Sequence, residues 1–178
     1  MRIEVAPASG YPGVSLRQLE RFDVDAWYAY MALPHVVEHT SWNLHSRADL
    51  LPMFDALEST SPESIRRLAI VSNVDEALIG TIGFHTVSAV NRTAEIAYDL
   101  SPEYWGRGIA SAVCNALTTW SFDTYSFVRV QGTVLKSNSR SAQVLQRCQY
   151  RYEGLLRSYR MVRGIPGDFA LYSRLAAD

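Results

Sequence analysis

The chain has 178 residues, of which 48% are hydrophobic and 20% charged, the balance of an ordinary globular protein. A formal net charge of −1 and a pI near 6.4 lack the basic excess of a general nucleic-acid binder. The start, Met1-Arg2-Ile3-Glu4-Val5, has no basic segment leading into an apolar run, and no stretch approaches the ~18 apolar residues of a membrane span. A cytoplasmic protein without a signal peptide is therefore expected.

In chain order, residues 14–19 alternate in part and predict a first strand. Asp23 is placed to cap a helix with the apolar face Val24, Trp27, Tyr28 and Met31, which Pro34 ends. A second helix opens at Ser46, with Asp49 as its capping-box partner and Leu50, Leu51, Phe54 and Leu57 as its stripe. Residues 68–71 and 78–87 read as a hairpin, and 93–100 as the next antiparallel strand. From Gly106 to Phe122 the period turns helical, with Ile109, Val113, Leu117 and Trp120 recurring. A strand at 127–134 and a helix at 138–149 follow, the helix facing Ala142, Leu145 and Cys148 inward. Two last strands, 152–161 and 169–175, flank the turn Gly164-Ile165-Pro166-Gly167. Repeats and linkers are absent from this pattern, so residues 1–178 read as one mixed α/β domain. Cys114 and Cys148 show no CxxC or Cys/His spacing and read as buried, reduced thiols, with no metal site.

The segment from Glu95 to Ala110 carries the most chemistry. A strand runs into Ser101-Pro102, and the loop Trp105-Gly106-Arg107-Gly108 opens the long helix at Ile109-Ala110. The first N–H groups of a helix lack internal partners, and the macrodipole adds about half a positive charge, so a pyrophosphate fits there. Glycine at 106 and 108 removes the Cβ atoms that would hold a phosphate off the backbone. A tight turn is the plain alternative. A dinucleotide fingerprint needs glycine where Ser111 stands, and a P-loop needs the GK[ST] that is absent.

Residues 105–110 resemble the acyl-coenzyme A loop of the GNAT N-acetyltransferases, with Trp105 where Gln or Arg is usual. The Rim-type branch, which acetylates amino termini of ribosomal proteins, has the same exchange. Ile79-Gly80-Thr81-Ile82-Gly83-Phe84, Ala94-Glu95-Ile96-Ala97-Tyr98, Asn138-Ser139-Arg140-Ser141 and Tyr152-Glu153-Gly154-Leu155-Leu156-Arg157 match the same branch. The resemblance implies a mostly antiparallel sheet of six to seven strands whose middle strands splay. It also implies acetyl-coenzyme A as co-substrate and no metal. Leu100, Trp105, Gly106, Arg107, Gly108, Ile109 and Ala110 would hold the coenzyme, and Asn138 would bond its pantetheine arm or simply cap its helix.

Transfer needs a neutral amine, a polarised carbonyl and a proton for the leaving thiolate. An α-amine costs roughly 1 kcal/mol to deprotonate at pH 7 and a lysine about 4.6 kcal/mol. Glu95 is the leading base, because mid-strand burial among apolar neighbours would raise its pKa. Asp99, on the same strand face, is the reserve, and His85 is a further candidate beside the acceptor. Many superfamily members carry a tyrosine acid where this chain has Leu145; Ser141 takes the role by position in the Rim-type branch, and Gln149 replaces a usual glycine. Trp42 lines an acceptor pocket or packs in the core. The arginines at 157, 160 and 163 face an acidic acceptor or form a solvated strand face. The acceptor is then a protein amino terminus or a small amine, in an enzyme or, with the tyrosine missing, a weakly catalytic acyl-coenzyme A-binding regulator. Oligomeric state is not legible, and a homodimer is compatible with the sequence.

Overall fold

The computed structural model describes residues 1–178. Seven strands, β1 (Val14–Gln18), β2 (Arg66–Ser72), β3 (Leu78–Ser88), β4 (Thr93–Leu100), β5 (Arg129–Leu135), β6 (Arg151–Val162) and β7 (Ile165–Leu175), form one sheet in the order β1-β2-β3-β4-β5-β7-β6. All neighbours pair antiparallel except β4 and β5, which run parallel. A parallel step cannot be closed by a hairpin, and the crossover from β4 to β5 is the long helix α4 (Ile109–Tyr125). Three shorter helices, α1 (Val24–Met31), α2 (Pro34–Val37) and α3 (Leu51–Leu57), precede β2, and α5 (Ser139–Arg147) links β5 to β6. No helix is long and apolar enough to cross a membrane.

Side chains alternate across the sheet and build a core on each face. Leu68 and Ile70 of β2 join Ile82, Ile96, Val130 and the buried faces of α4 and α5. Ala69 and Val71 point the other way, against Trp27, Met31, Leu50 and Phe54 of the helices before β2. Both faces are thus covered, which suits the almost unbroken burial of β2.

The local expectations are met with four differences, one of them Leu51, expected in the apolar stripe of the second helix but 37% exposed. Asp23 makes no cap to α1: its carboxylate accepts from Glu20 N–H and pairs with Arg17 at 2.7 Å, closing a capping box around the 3-10 turn before that helix. Pro34 opens α2 instead of ending α1, because a proline at N1 forfeits only an N–H that has no helical partner. The predicted 164–167 turn shrinks to two residues, Arg163 and Gly164, both at positive φ, and pairing resumes at Val162 and Ile165. The Ser46/Asp49 capping box forms as read, leading a 3-10 turn directly into α3. Gln149 adopts φ 66°, the left-handed conformation that glycine would take without strain.

Candidate active site

The parallel pairing of β4 with β5 lasts for three residue pairs, from Thr93–Arg129 to Glu95–Gln131. Beyond Glu95 the two strands diverge, so their facing backbone groups lack ladder partners and a wedge opens between them. A cavity of about 280 Å3 occupies this wedge, lined by Tyr98, Asp99, Thr133, Ser141 and Arg160 among others. From Glu95 at its apex to Leu100 at its mouth, β4 covers about 17 Å at 3.3–3.4 Å per residue. The loop from Ser101 to Gly108 then turns into α4, placing the start of that helix at the mouth.

That loop has the geometry of an anion cradle. Gly106 and Gly108 stand at φ 74° and 85°, and a Cβ added at either would meet no atom within 4 Å, so the space above them is open. Ala112 N–H makes the first helical bond, to Gly108 O at 3.1 Å, which leaves the amides before it facing outward. Trp105 folds back: its Nε1 donates to Leu100 O at 2.8 Å, a brace that fixes the loop to the end of β4. Arg107 lies over the Tyr104 ring and Arg140 over the Trp105 ring, 5.1 and 4.9 Å from the centroids. Leu100 and Ile109 have buried side chains, whereas Ala110 is half-buried.

At the apex, Glu95 is 4% exposed. One of its carboxylate oxygens accepts from Thr133 Oγ1 at 2.5 Å and Arg160 Nη2 at 2.9 Å and lies 3.3 Å from His85 Nε2. Burial alone would raise this acid, but hydrogen bonds from His85 and Thr133 and the nearby Arg160 charge outweigh it and hold the pKa at about 2. The expected upward shift is therefore reversed, because Arg160 and Thr133, remote in sequence, converge on the carboxylate. His85 is the extra residue of a β-bulge: Phe84 pairs with Ile96 and Thr86 with Glu95, and the bulge turns the imidazole toward the wedge. Its Nδ1 is buried without a partner.

Asp99 belongs to a second, separate network. It accepts from Thr81 Oγ1 at 2.8 Å, from Arg67 Nη2 at 2.5 Å and from the Tyr30 hydroxyl. Burial and this carboxylate push the Tyr30 phenol well above its usual range. Trp42 is half-buried: it lines the cavity, and its ring packs edge-on against Trp27 at 6.0 Å. Of the three arginines, Arg157 is exposed, Arg160 holds Glu95, and Arg163 donates to the carbonyls of Val37, Glu38 and Thr40, clamping the loop that carries Trp42.

On the far wall, Asn138 Oδ1 accepts from Ser141 N at 3.0 Å and its Nδ2 donates to His39 O at 3.3 Å, so the amide acts as the N-cap of α5. Leu145 is 1% exposed and packs onto Gly132, where any added Cβ would fall 2.9 Å from its Cδ1. Tyr98 was not singled out in the sequence, yet its hydroxyl sits 3.0 Å from Ser141 Oγ. Cys114 and Cys148 are buried free thiols, and no group of residues fit to hold a metal is present.

A sheet that splays between β4 and β5, with a glycine loop leading into a helix at its mouth, is the arrangement of an acyltransferase that uses a phosphate-bearing acyl carrier. Residues 14–151 match the acetyltransferase (GNAT) domain family, and the chain belongs to it. It is an acetyl-coenzyme A-dependent N-acetyltransferase. Over 166 residues it is 31% identical to N-acetyltransferase p20 of Bacillus licheniformis, itself uncharacterised, covering 91% of this chain and 92% of that protein. The ribosomal-protein-serine acetyltransferase of Escherichia coli is 31% identical over 101 residues, 57% of this chain and 56% of the relative. Spermidine N-acetyltransferase of Vibrio cholerae, solved with CoA and spermine, superposes with a TM-score of 0.81 over 94% of this chain and 98% of that one, at 20% identity.

Proposed function

We propose that this enzyme acetylates the α-amino group of a protein amino terminus, with a ribosomal protein as the favoured acceptor, in a cytoplasmic setting. The observation that carries the reading is charge compensation: Asp99, the carboxylate that lines the cavity, is already paired with Arg67, and Glu95, behind the lining residues His85, Thr133 and Arg160, is paired with Arg160. A polyamine or aminoglycoside needs surplus negative charge to replace its water, and this cavity offers none. A neutral α-amine needs none, and Met31, Met53 and Trp42 supply an apolar wall for an N-terminal side chain.

In this reading, the pyrophosphate of acetyl-coenzyme A rests on the amides around residues 106–110, and the pantetheine arm lies along β4 toward Glu95. The acceptor nitrogen attacks the thioester carbon beside the apex, the C–S bond breaks, and the sulfur leaves with the electron pair. Because an α-amine is deprotonated for about 1 kcal/mol at pH 7, no strong base is required. Glu95, a fixed anion with a pKa of about 2, stabilises the positive charge growing on nitrogen, and His85 is held alongside it.

The test is an acceptor panel read by intact mass. A peptide with a free amino-terminal Ser, Ala or Thr should exceed, by more than tenfold in kcat/KM at pH 7, the same peptide blocked at its terminus with a free lysine; the amines differ by roughly 3 kcal/mol in deprotonation. Spermidine or an aminoglycoside outpacing every peptide overturns the reading.

A further inference from the structure

The family's usual phenol is missing from α5, where Leu145 is buried in the core. A phenol nevertheless reaches the same wall of the wedge from the opposite side. Tyr98, on β4, lines the cavity and places its hydroxyl 3.1 Å from Ser141 O and 3.0 Å from Ser141 Oγ. Both residues line the cavity, Tyr98 three residues from the apex along β4 and Ser141 in the first turn of α5. The Ser141 hydroxyl has Tyr98 as its hydrogen-bond partner, while its backbone N–H is fixed by the Asn138 cap.

We propose that Tyr98 is a positioning residue that aims the Ser141 hydroxyl at the leaving sulfur of acetyl-coenzyme A. A phenol carries one hydrogen, and here two acceptors stand within reach of it. With the site empty, the phenol donates to Ser141 O and accepts from Ser141 Oγ–H. As the C–S bond breaks and the sulfur takes the electron pair, the serine hydrogen turns to the thiolate. The phenol hydrogen turns from Ser141 O to Ser141 Oγ, so neither hydroxyl is left without a partner. Ser141 O retains its place in the ladder of α5. A hydroxyl that accepts one bond while donating another is the stronger donor, which is what the phenol adds. No proton leaves Tyr98. The attacking amine gives up one proton to solvent and the thiolate takes one up from solvent, so Ser141 and Tyr98 end as they began and the products are the acetamide and free coenzyme A thiol.

The inference rests on acetyl transfer and is independent of the acceptor. Tyr98→Phe, Ser141→Ala, Ser141→Thr and the double variant Tyr98→Phe/Ser141→Ala are compared on whichever acceptor ranks first in the panel, so failure of the α-amine reading changes the acceptor and leaves this test intact. Tyr98→Phe and Ser141→Ala should each lower kcat about tenfold, with the acetyl-coenzyme A KM within about twofold of wild type. The double variant should fall no more than about twofold below either single, because the two groups act as one unit. Ser141→Thr keeps the hydroxyl and should keep most of kcat. Wild-type kcat in either single variant overturns the proposal. So does a double variant that loses the product of the single losses, about 100-fold, or a Tyr98→Phe whose whole effect lies in KM.

Discussion

Replacing Glu95 by glutamine separates a fixed charge from a working base. At 4 Å and an effective dielectric near 20, two unit charges interact by about 4 kcal/mol. Arg160, 2.9 Å from one oxygen, cancels part of that at the acceptor nitrogen. A loss of about 10²-fold in kcat, or roughly 2.7 kcal/mol, is the expected result. Because the carboxylate titrates at about 2, far below the assay range, the pH profile between about pH 6 and 9 should keep its shape and lose only height. Stability changes too. The folded pKa of about 2 lies below the ordinary value of 4.5, which corresponds to about 3 kcal/mol of stability. A depressed acid gives that stability above its unfolded pKa and loses it as pH falls toward the folded one. Wild type should therefore outlast Glu95→Gln at neutral pH, and the gap in thermal midpoint should close between about pH 4.5 and 2. Initial thiol-release rates across pH and thermal scans at neutral pH and pH 3 measure both. An acidic limb in the wild-type profile that vanishes in Glu95→Gln would identify Glu95 as a base and refute the fixed-charge argument, as would unchanged kcat.

Two further outcomes test the ends of the wedge. Gly108→Val places a branched Cβ in the open space over the loop and forces φ 85° on a residue that disfavours it, at about 1–2 kcal/mol; acetyl-coenzyme A affinity should drop at least tenfold by calorimetry with the fold retained, and unchanged affinity removes the cradle. Arg163→Ala releases the carbonyls of Val37, Glu38 and Thr40. It should raise the acceptor KM several-fold while leaving the acetyl-coenzyme A KM in place, and the reverse pattern would detach that loop from the acceptor.

What the sequence made legible was local. The change from alternation to helical period at Gly106, the glycines before α4 and the Ser46/Asp49 box all describe interactions spanning a few residues, and each is present in the fold. Asp23 shows how a correct local signal can serve the wrong neighbour: the same carboxylate that could cap α1 closes the turn before it. The remaining features are long-range. The direction of the Glu95 shift depends on Arg160, 65 residues away, and on Thr133, 38 away. The partnership of Tyr98 with Ser141 spans 43 residues and exists only because β4 and β5 part company after Glu95. Tyr98 could have been found by asking which strand side chains face a helix start across a parallel step, but that question needs the strand order first.

The two ends of the wedge use their cations differently, and this division bears on the acceptor. At the mouth, Arg107 and Arg140 rest on aromatic rings, positions from which a guanidinium can turn to a phosphate without breaking an ion pair. Along β4, Arg160 at the apex and Arg67 beside Asp99 are each committed to a carboxylate within 2.9 Å, and the Asp99–Arg67 pair is nearly closed to solvent. Drawing either acid away to greet an incoming cation would strand a guanidinium in a buried site, a cost of about 3–5 kcal/mol for a broken buried pair. A polycationic acceptor would have to overcome that cost before gaining any contact. On the proposed reading, a neutral α-amine would meet the negative edge of Glu95 with the pair intact. The same pairing that lowers the Glu95 pKa makes it a poor base and a poor cation receptor together, and on the proposed reading its part would be that of a charge held still.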